Sequence, residues 1–134
     1  MSKNKKYIVG SLFSGVGGFE LGFQNAGFET QWAVENDLYA SKTYKHNFPK
    51  HQLIEEDIKE ISNKDIKKLK NVDILLAGFP CQAFSIAGYR KGFKDPRGNL
   101  FDEIIRFIEN LRKKPKVIVL ENVKNFYGHD NKKT

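Results

Sequence analysis

Tyr7-Ile8-Val9-Gly10-Ser11-Leu12-Phe13, followed at once by Ser14-Gly15-Val16-Gly17-Gly18, is the stretch on which the fold turns. A short apolar run ends in a glycine cluster, and Phe19, Leu21, Gly22, Phe23 and Ala26 then recur at helical spacing. Strand, glycine turn and helix follow one another without a linker. Phe28 to Val34 gives a second strand closed by Glu35-Asn36-Asp37, and Tyr39 to Phe48 a second helix that stops before Pro49.

Working outward, the alternation continues to the end of the chain. Leu53-Ile54, leading into Glu55-Glu56-Asp57, is a short third strand, and Ser62 to Leu69 a lysine-rich helix with Asp65 in its first turn. Val72 to Ala77 is apolar throughout except for Asp73, which suits a strand buried on both faces of a parallel sheet. A polar loop with glycines at 78, 88, 92 and 98 comes next. Leu100, Phe101, Ile104, Phe107, Ile108 and Leu111 share one helical face, with Asp102 placed to support Arg106, and the helix ends at Arg112-Lys113-Lys114-Pro115. Val117 to Leu120 is the last strand, closed by Glu121-Asn122. Five strands alternating with four helices imply right-handed βαβ units, and the expected fold is a doubly wound parallel α/β sheet.

The chain has 134 residues, 40% of them hydrophobic and 29% charged, with a formal net charge of +7. That is the composition and size of one globular domain. No apolar run approaches the ~20 residues that span a bilayer, and no apolar signal core follows the N-terminal lysines. A soluble, cytoplasmic protein without a membrane partner is expected. One cysteine, Cys81, excludes an internal disulfide, and the three histidines show no metal-ligand spacing, so no metal is expected. The basic excess fits a polyanionic partner but also serves solubility.

In open parallel sheets, ligands bind outside the carboxyl ends of the strands. Phe13 to Gly18 follows the first strand, Glu35 the second, Asp57 the third, Gly78-Phe79-Pro80-Cys81 the fourth and Glu121-Asn122 the fifth. Glu35 lies about 20 residues after Gly15, the separation at which an acid meets ribose hydroxyls. The glycines do not fit a pyrophosphate-binding pattern, and Glu20 at the start of the helix opposes a phosphate. An adenosine cofactor without pyrophosphate, S-adenosyl-L-methionine, is therefore indicated. Cys81 leaves its strand into a loop with Arg90, Lys91, Lys94 and Arg97 against Asp95, a setting that favours thiolate and can bind phosphates. Glu121 is delivered to the same edge from a buried run, where desolvation would raise its pKa. A thiol nucleophile beside a proton-donating carboxyl suits covalent chemistry on an electron-poor ring.

Phe13-Ser14-Gly15-Val16-Gly17-Gly18-Phe19, Gly78-Phe79-Pro80-Cys81-Gln82-Ala83-Phe84-Ser85 and Glu121-Asn122-Val123, in this order, resemble the cofactor loop, the Pro-Cys motif and the Glu-Asn-Val motif of the DNA cytosine-5 methyltransferases of bacterial modification systems. The resemblance runs from about Tyr7 to Asp130. It implies a Rossmann-like methyltransferase fold in which Cys81 attacks C6 of a cytosine and Glu121 protonates the ring. The target base would be flipped out of double-stranded DNA. By the same resemblance Phe13 stacks on adenine, Glu35 holds the ribose, Asp57 the adenine amine, and Ile58, Pro80 and Leu100 flank the cofactor. Ser14, Gly15, Val16, Gly17, Gly18 and Asn36 complete that set. Ser85 would hold a phosphate or the catalytic loop, Arg90, Lys91, Lys94 and Arg97 the DNA backbone, and Asn122 would brace the Pro-Cys loop.

Ser11 stands where the family usually has an aspartate, and Asn36 where a bulky apolar residue often packs on adenine. Thr134 precedes the family's paired-arginine segment, its target-recognition region and its C-terminal helix, so the sequence corresponds to the N-terminal part of the catalytic domain, truncated after the fifth strand. The expectation is a fifth strand left as a bare apolar edge, with low solubility and little activity unless a second polypeptide supplies the missing segments. Two alternatives remain at this stage: a related RNA cytosine-5 methyltransferase, or an inactive remnant that binds nucleotide or DNA. RNA methyltransferases of the two-cysteine type do not fit a chain whose one cysteine is Cys81.

Overall fold

The computed structural model describes residues 5–80 and 100–122. Its elements follow the order β1 (Ile8–Leu12), α1 (Gly18–Asn25), β2 (Glu29–Val34), α2 (Leu38–Asn47), β3 (Gln52–Ile54), α3 (Asn63–Lys68), β4 (Ile74–Gly78), α4 (Leu100–Asn110) and β5 (Val117–Glu121). The strands form one sheet in the order β3-β2-β1-β4-β5, and every neighbouring pair is parallel. The expected doubly wound architecture is therefore present. The chain winds to one side of β1 and then to the other side through β4.

Alternation along each strand sends side chains to two cores. Leu12, Trp32, Val34, Leu75 and Ala77 join Ile66 and Leu69 from α3 and its end, and Ile104 and Phe107 from α4. Val9, Ile74 and Leu76 pack on the opposite face with Phe19 and Phe23 of α1. Ala33, out of phase with Trp32, meets Tyr44 and Phe48 at α2. Ile74 to Ala77 are buried on both faces because both are covered by helices, which is why that strand is uniformly apolar. Trp32 crosses β1 so closely that a Cβ at Gly10 would lie 2.5 Å from its ring. Only glycine leaves room there. The indole Nε1 donates to the Lys70 carbonyl at 2.9 Å, satisfying the buried ring's polar atom.

Asp73, the polar exception in the fourth apolar run, lies just before β4 and ties three strands at their amino ends. Its carboxylate accepts the Ile8 N–H at 3.0 Å, its own N–H donates to Ile8, and its carbonyl accepts from Lys116 and Val117. The supporting pair expected in the fourth helix is corrected. Arg106 bonds Glu103 at 2.7 Å, three residues earlier, rather than Asp102. The reason is geometric: Glu103 shares Arg106's half-buried side of α4, whereas Asp102 faces solvent. Val117, Ile118 and Leu120 of β5 are 50%, 41% and 42% exposed, so among the described residues the expected bare apolar edge is present. No helix among the described residues is long and apolar enough to cross a membrane.

Candidate active site

Because the strand order reverses between β1 and β4, their carboxyl ends border the crevice where such sheets bind ligands. The segment after β1 is shaped for an approach to that crevice. Phe13 has φ +56°, Gly15 +58° and Gly17 +96°, three left-handed residues in one turn. For a bulky residue such as Phe13 this conformation is strained, and strain of this kind concentrates at ligand clamps. Gly17 caps α1 and rests on Phe48, whose ring would lie 2.3 Å from an added Cβ. No other residue type fits that position without displacing the ring.

Glu35, at the end of β2, is bound into the same turn. Its Oε2 accepts the Gly15 N–H at 2.7 Å, and its Oε1 accepts the N–H groups of Asn36 and Asp37 at 3.1 and 3.0 Å. Three donors fix the carboxylate's orientation while lone pairs remain for a further donor such as a hydroxyl. Asp57 is set in a turn of its own, with Oδ1 accepting the Lys59 N–H at 2.9 Å.

These groups converge on a cleft of about 200 Å³. Of the residues expected to bind a cofactor, Phe13, Glu35, Asn36, Asp57, Ile58, Pro80 and Leu100 line it together. Val34, Glu56 and Lys59 also line it and were not anticipated, since nothing in their types or spacing distinguishes them from solvated or core positions. Ser14, Gly15, Val16, Gly17 and Gly18 do not line it. Gly15 reaches it through Glu35, Ser14 is buried with its N–H on the Val34 carbonyl at 3.1 Å, and Val16, Gly17 and Gly18 border a separate groove with Leu21 and Phe48. Among the described residues, Glu35, Glu56 and Asp57 stand against Lys59 alone, so the walls they form are acidic. Such walls suit a nucleoside carrying positive charge and oppose a pyrophosphate.

Arg106 is the supporting residue that sequence reasoning missed. Its guanidinium donates to the carbonyls of Ile58 at 2.7 Å and Ile61 at 2.9 Å and to Asn63 Oδ1 at 2.7 Å, pinning the segment beside Asp57 to α4. Nothing in its local spacing pointed to that role, because Glu103 three residues earlier and Asn110 four later make its side of the helix polar.

On the other side of the crevice, β4 ends at Gly78, in register with Glu121 of β5. Glu121 Oε2 lies 3.4 Å from the place a Gly78 Cβ would take, and the Phe19 ring 3.2 Å from it. The desolvation expected for Glu121 is not observed: the residue is exposed, because β5 is an edge strand with no cover among the described residues. Asn122 Nδ2 donates to the Phe79 carbonyl at 3.2 Å, which ties the two strand exits together directly ahead of Cys81. Phe79 is buried against Phe101, with ring centroids 5.9 Å apart, and Pro80 turns outward to the cleft. Cys81, Ser85, Arg90, Lys91, Lys94 and Arg97 lie outside the described residues. No group of metal-ligating side chains occurs among the described residues.

Residues 7–134 match the family described as C-5 cytosine-specific DNA methylase. The chain is 54% identical over 128 residues to the type II methyltransferase M.Bsp6I of Bacillus sp. (strain RFL6), covering 94% of this chain and 39% of that protein. It is 49% identical over 123 residues to the type II methyltransferase M.HhaI of Haemophilus parahaemolyticus, covering 92% and 36%. The structure superposes on a mutant form of Spodoptera frugiperda DNMT2 with a TM-score of 0.68 and 33% identity, over 93% of this chain and 38% of that one. With S. pombe Dnmt2 methyltransferase the TM-score is 0.73 at 23% identity, over 95% and 37%, a likeness of fold. The chain thus spans well under half the length of the relatives it matches.

Proposed function

The chain belongs to the C-5 cytosine-specific DNA methylase family, and from that premise we propose that it is the cofactor-binding N-terminal portion of an enzyme that methylates C5 of cytosine in double-stranded DNA. The observation that carries this reading is the convergence of Phe13, Glu35, Asp57, Ile58, Pro80 and Leu100 on one acidic cleft beside the strand exit that leads to Cys81. S-Adenosyl-L-methionine, when bound, supplies an electrophilic methyl group.

The cleft's own chemistry fits that group. Phe13 offers an apolar ring, Glu35 an oriented carboxylate with free acceptor capacity for vicinal hydroxyls, and Asp57 a second acceptor for an exocyclic amine. Acidic walls favour a sulfonium ligand over a phosphorylated one.

Cys81 adds as thiolate to C6 of the cytosine. A sulfur–carbon bond forms, the C5–C6 π pair moves into the ring, and C5 becomes nucleophilic. Glu121 serves as the acid that holds a proton at N3 while negative charge develops, and Asn122 holds the Pro-Cys exit through the Phe79 carbonyl. Once C5 is methylated, water acts as the base that takes the C5 proton, its electron pair re-forms the C5–C6 double bond, and the carbon–sulfur bond breaks to return the thiolate. Ser85, Arg90, Lys91, Lys94 and Arg97 contact phosphates of the flipped strand. Base recognition and the rest of the cofactor pocket come from segments that the matched relatives carry beyond this region, on this protein's own continuation or on a second polypeptide.

The test is a covalent trap. DNA containing 5-fluorocytosine at the target, incubated with cofactor and with the chain supplied with the remaining segments of the enzyme, is expected to give an adduct stable to denaturation. Cys81→Ser abolishes the adduct, and Glu35→Ala weakens cofactor binding by about tenfold or more, the scale of losing charge-assisted hydrogen bonds. An adduct formed equally by Cys81→Ser sinks the covalent mechanism.

A further inference from the structure

Glu20 stands in the first turn of α1 with its side chain wholly buried. Among the described residues, neither of its carboxyl oxygens has a hydrogen-bond partner, and the buried hydroxyls of Ser11, Ser14 and Ser41 are likewise unpartnered. An ionised carboxylate in such a place requires a cation or several donors, and without them its burial is very costly. What faces Glu20 offers an anion only neutral donors, the Ser11 hydroxyl and the Glu20 backbone N–H, with no cation acting on it among the described residues. Ser11 of β1 lies beside the carboxyl, Glu35 at the end of β2 acts on it with like charge, and Tyr44 of α2 is within its electrostatic reach. Behind Tyr44 stands His51, with Nδ1 2.9 Å from the Tyr44 hydroxyl.

The surroundings connect this carboxyl to the turn above it. Gly17, the residue that caps α1, packs on the Phe48 ring, and Phe48 stacks on His51 with centroids 4.9 Å apart. Glu20 therefore lies in the layer that carries the left-handed turn framing the cleft. Burial pushes its pKa up; Ser11 and the residue's own backbone N–H oppose that more weakly, and the like charge of Glu35 adds to it.

We propose that Glu20 is held as a neutral carboxylic acid sharing its own proton with the Ser11 hydroxyl, and that it is a positioning residue that fixes the first turn of α1 and with it the turn over residues 13–18. The use of that turn by a cofactor rests on the function proposed above; the protonation state of Glu20 does not.

The sign of the resulting pH dependence is fixed. A carboxyl that binds its proton more tightly in the folded chain gives stability that is full below its ordinary value near 4.5 and is lost as pH rises towards the folded value. His51, whose pKa burial lowers, acts in the opposite sense below its ordinary value of 6.5, and Tyr44, whose pKa burial raises, acts only above about pH 10. Comparing variants that share His51 and Tyr44 removes both contributions.

The experiment is urea unfolding of the full chain below micromolar concentration, where the exposed edge of β5 does not drive association, from pH 4 to pH 9, followed by the fluorescence of buried Trp32, for the wild type and for Glu20→Gln. The ratio of their folding constants is expected to be level at the acid end and then to fall by about tenfold per pH unit until the folded pKa of Glu20 is passed. Glu20→Met, also uncharged at every pH, is a second reference if the glutamine variant does not fold. A ratio independent of pH against either reference overturns the neutral-acid proposal. Hydrogen exchange tests the positioning role: Glu20→Ala is expected to speed exchange of the amides in residues 13–18 by about tenfold or more, and Glu20→Gln to restore protection. Equal protection in all three proteins, or equal loss in both variants, overturns it. Neither readout uses the cofactor or DNA, so failure here and failure of the enzymatic reading are separate results.

Discussion

At the scale of single residues, the site depends on backbone geometry that side-chain chemistry cannot reproduce. Gly17 combines φ +96° with a Phe48 ring where a Cβ would go. Left-handed geometry costs a non-glycine residue about 1–2 kcal/mol and overpacking about 1–3 kcal/mol more. Gly17→Ala is therefore expected to destabilise the chain by about 2–5 kcal/mol, measured by chemical denaturation with Trp32 as probe. Asp73 shows the opposite case, a polar side chain that a packed sheet demands. Its hydrogen bond from the Ile8 N–H, more than the attraction of Lys116, holds its carboxyl below its ordinary value of 3.8. A depressed carboxylate contributes stability that is present above the unfolded value and lost as pH falls through the folded one. Asp73→Asn keeps an acceptor for Ile8 but not the charge, so its unfolding midpoint is expected to change less than the wild type's between pH 5 and pH 2. The exception in the apolar run was legible from sequence. Its role was not, because the partner lies 65 residues away across the sheet.

At the scale of elements, the strands and helices were readable because each is an apolar pattern with a local stop signal. Boundaries moved by one or two residues, as at Ile74, where Asp73 serves as the tie before the strand rather than as part of it. Tertiary contacts were less accessible. Local spacing suggested Asp102 for Arg106, yet α4 turns the arginine towards residues 58–63, where it meets Glu103 and the carbonyls of Ile58 and Ile61. Removing it leaves those carbonyls without their donors. Arg106→Ala is expected to cost about 2–4 kcal/mol, the scale of hydrogen bonds to a charged group. Amide exchange across 57–63 is expected to rise, whereas exchange in β1 rises only as far as global stability falls.

At the scale of the whole molecule, the described sheet has two edges that differ in length and cover. β3 is short, three residues long, whereas β5 presents five residues with three large apolar side chains exposed. A long apolar edge offers unpaired backbone groups to any other strand. The chain by itself is expected to self-associate at micromolar concentration, seen as a concentration-dependent rise in sedimentation coefficient. A charge on the strand's exposed side, Ile118→Lys, is expected to suppress this without lowering the unfolding midpoint by more than about 1 kcal/mol, as for a surface position. Retention of full association in Ile118→Lys would place the interface elsewhere. The same exposure leaves Glu121 open to solvent, so desolvation of that carboxyl would require a cover over β5.

By itself the sequence determined the alternation of strands and helices, the strand exits that carry the chemistry and the family resemblance. These are recorded in local apolar periodicity, in glycine clusters and in short ordered motifs, none of which needs a distant contact to be recognised. Only the tertiary structure decided which of the expected residues meet in one cleft, that Phe13 is held in a left-handed conformation, that Arg106 braces the floor beside Asp57, and that Glu20 points inward rather than to solvent. Each of those depends on which faces two elements turn towards each other, and a helical or strand pattern fixes a side chain's periodicity but not the partner it will meet.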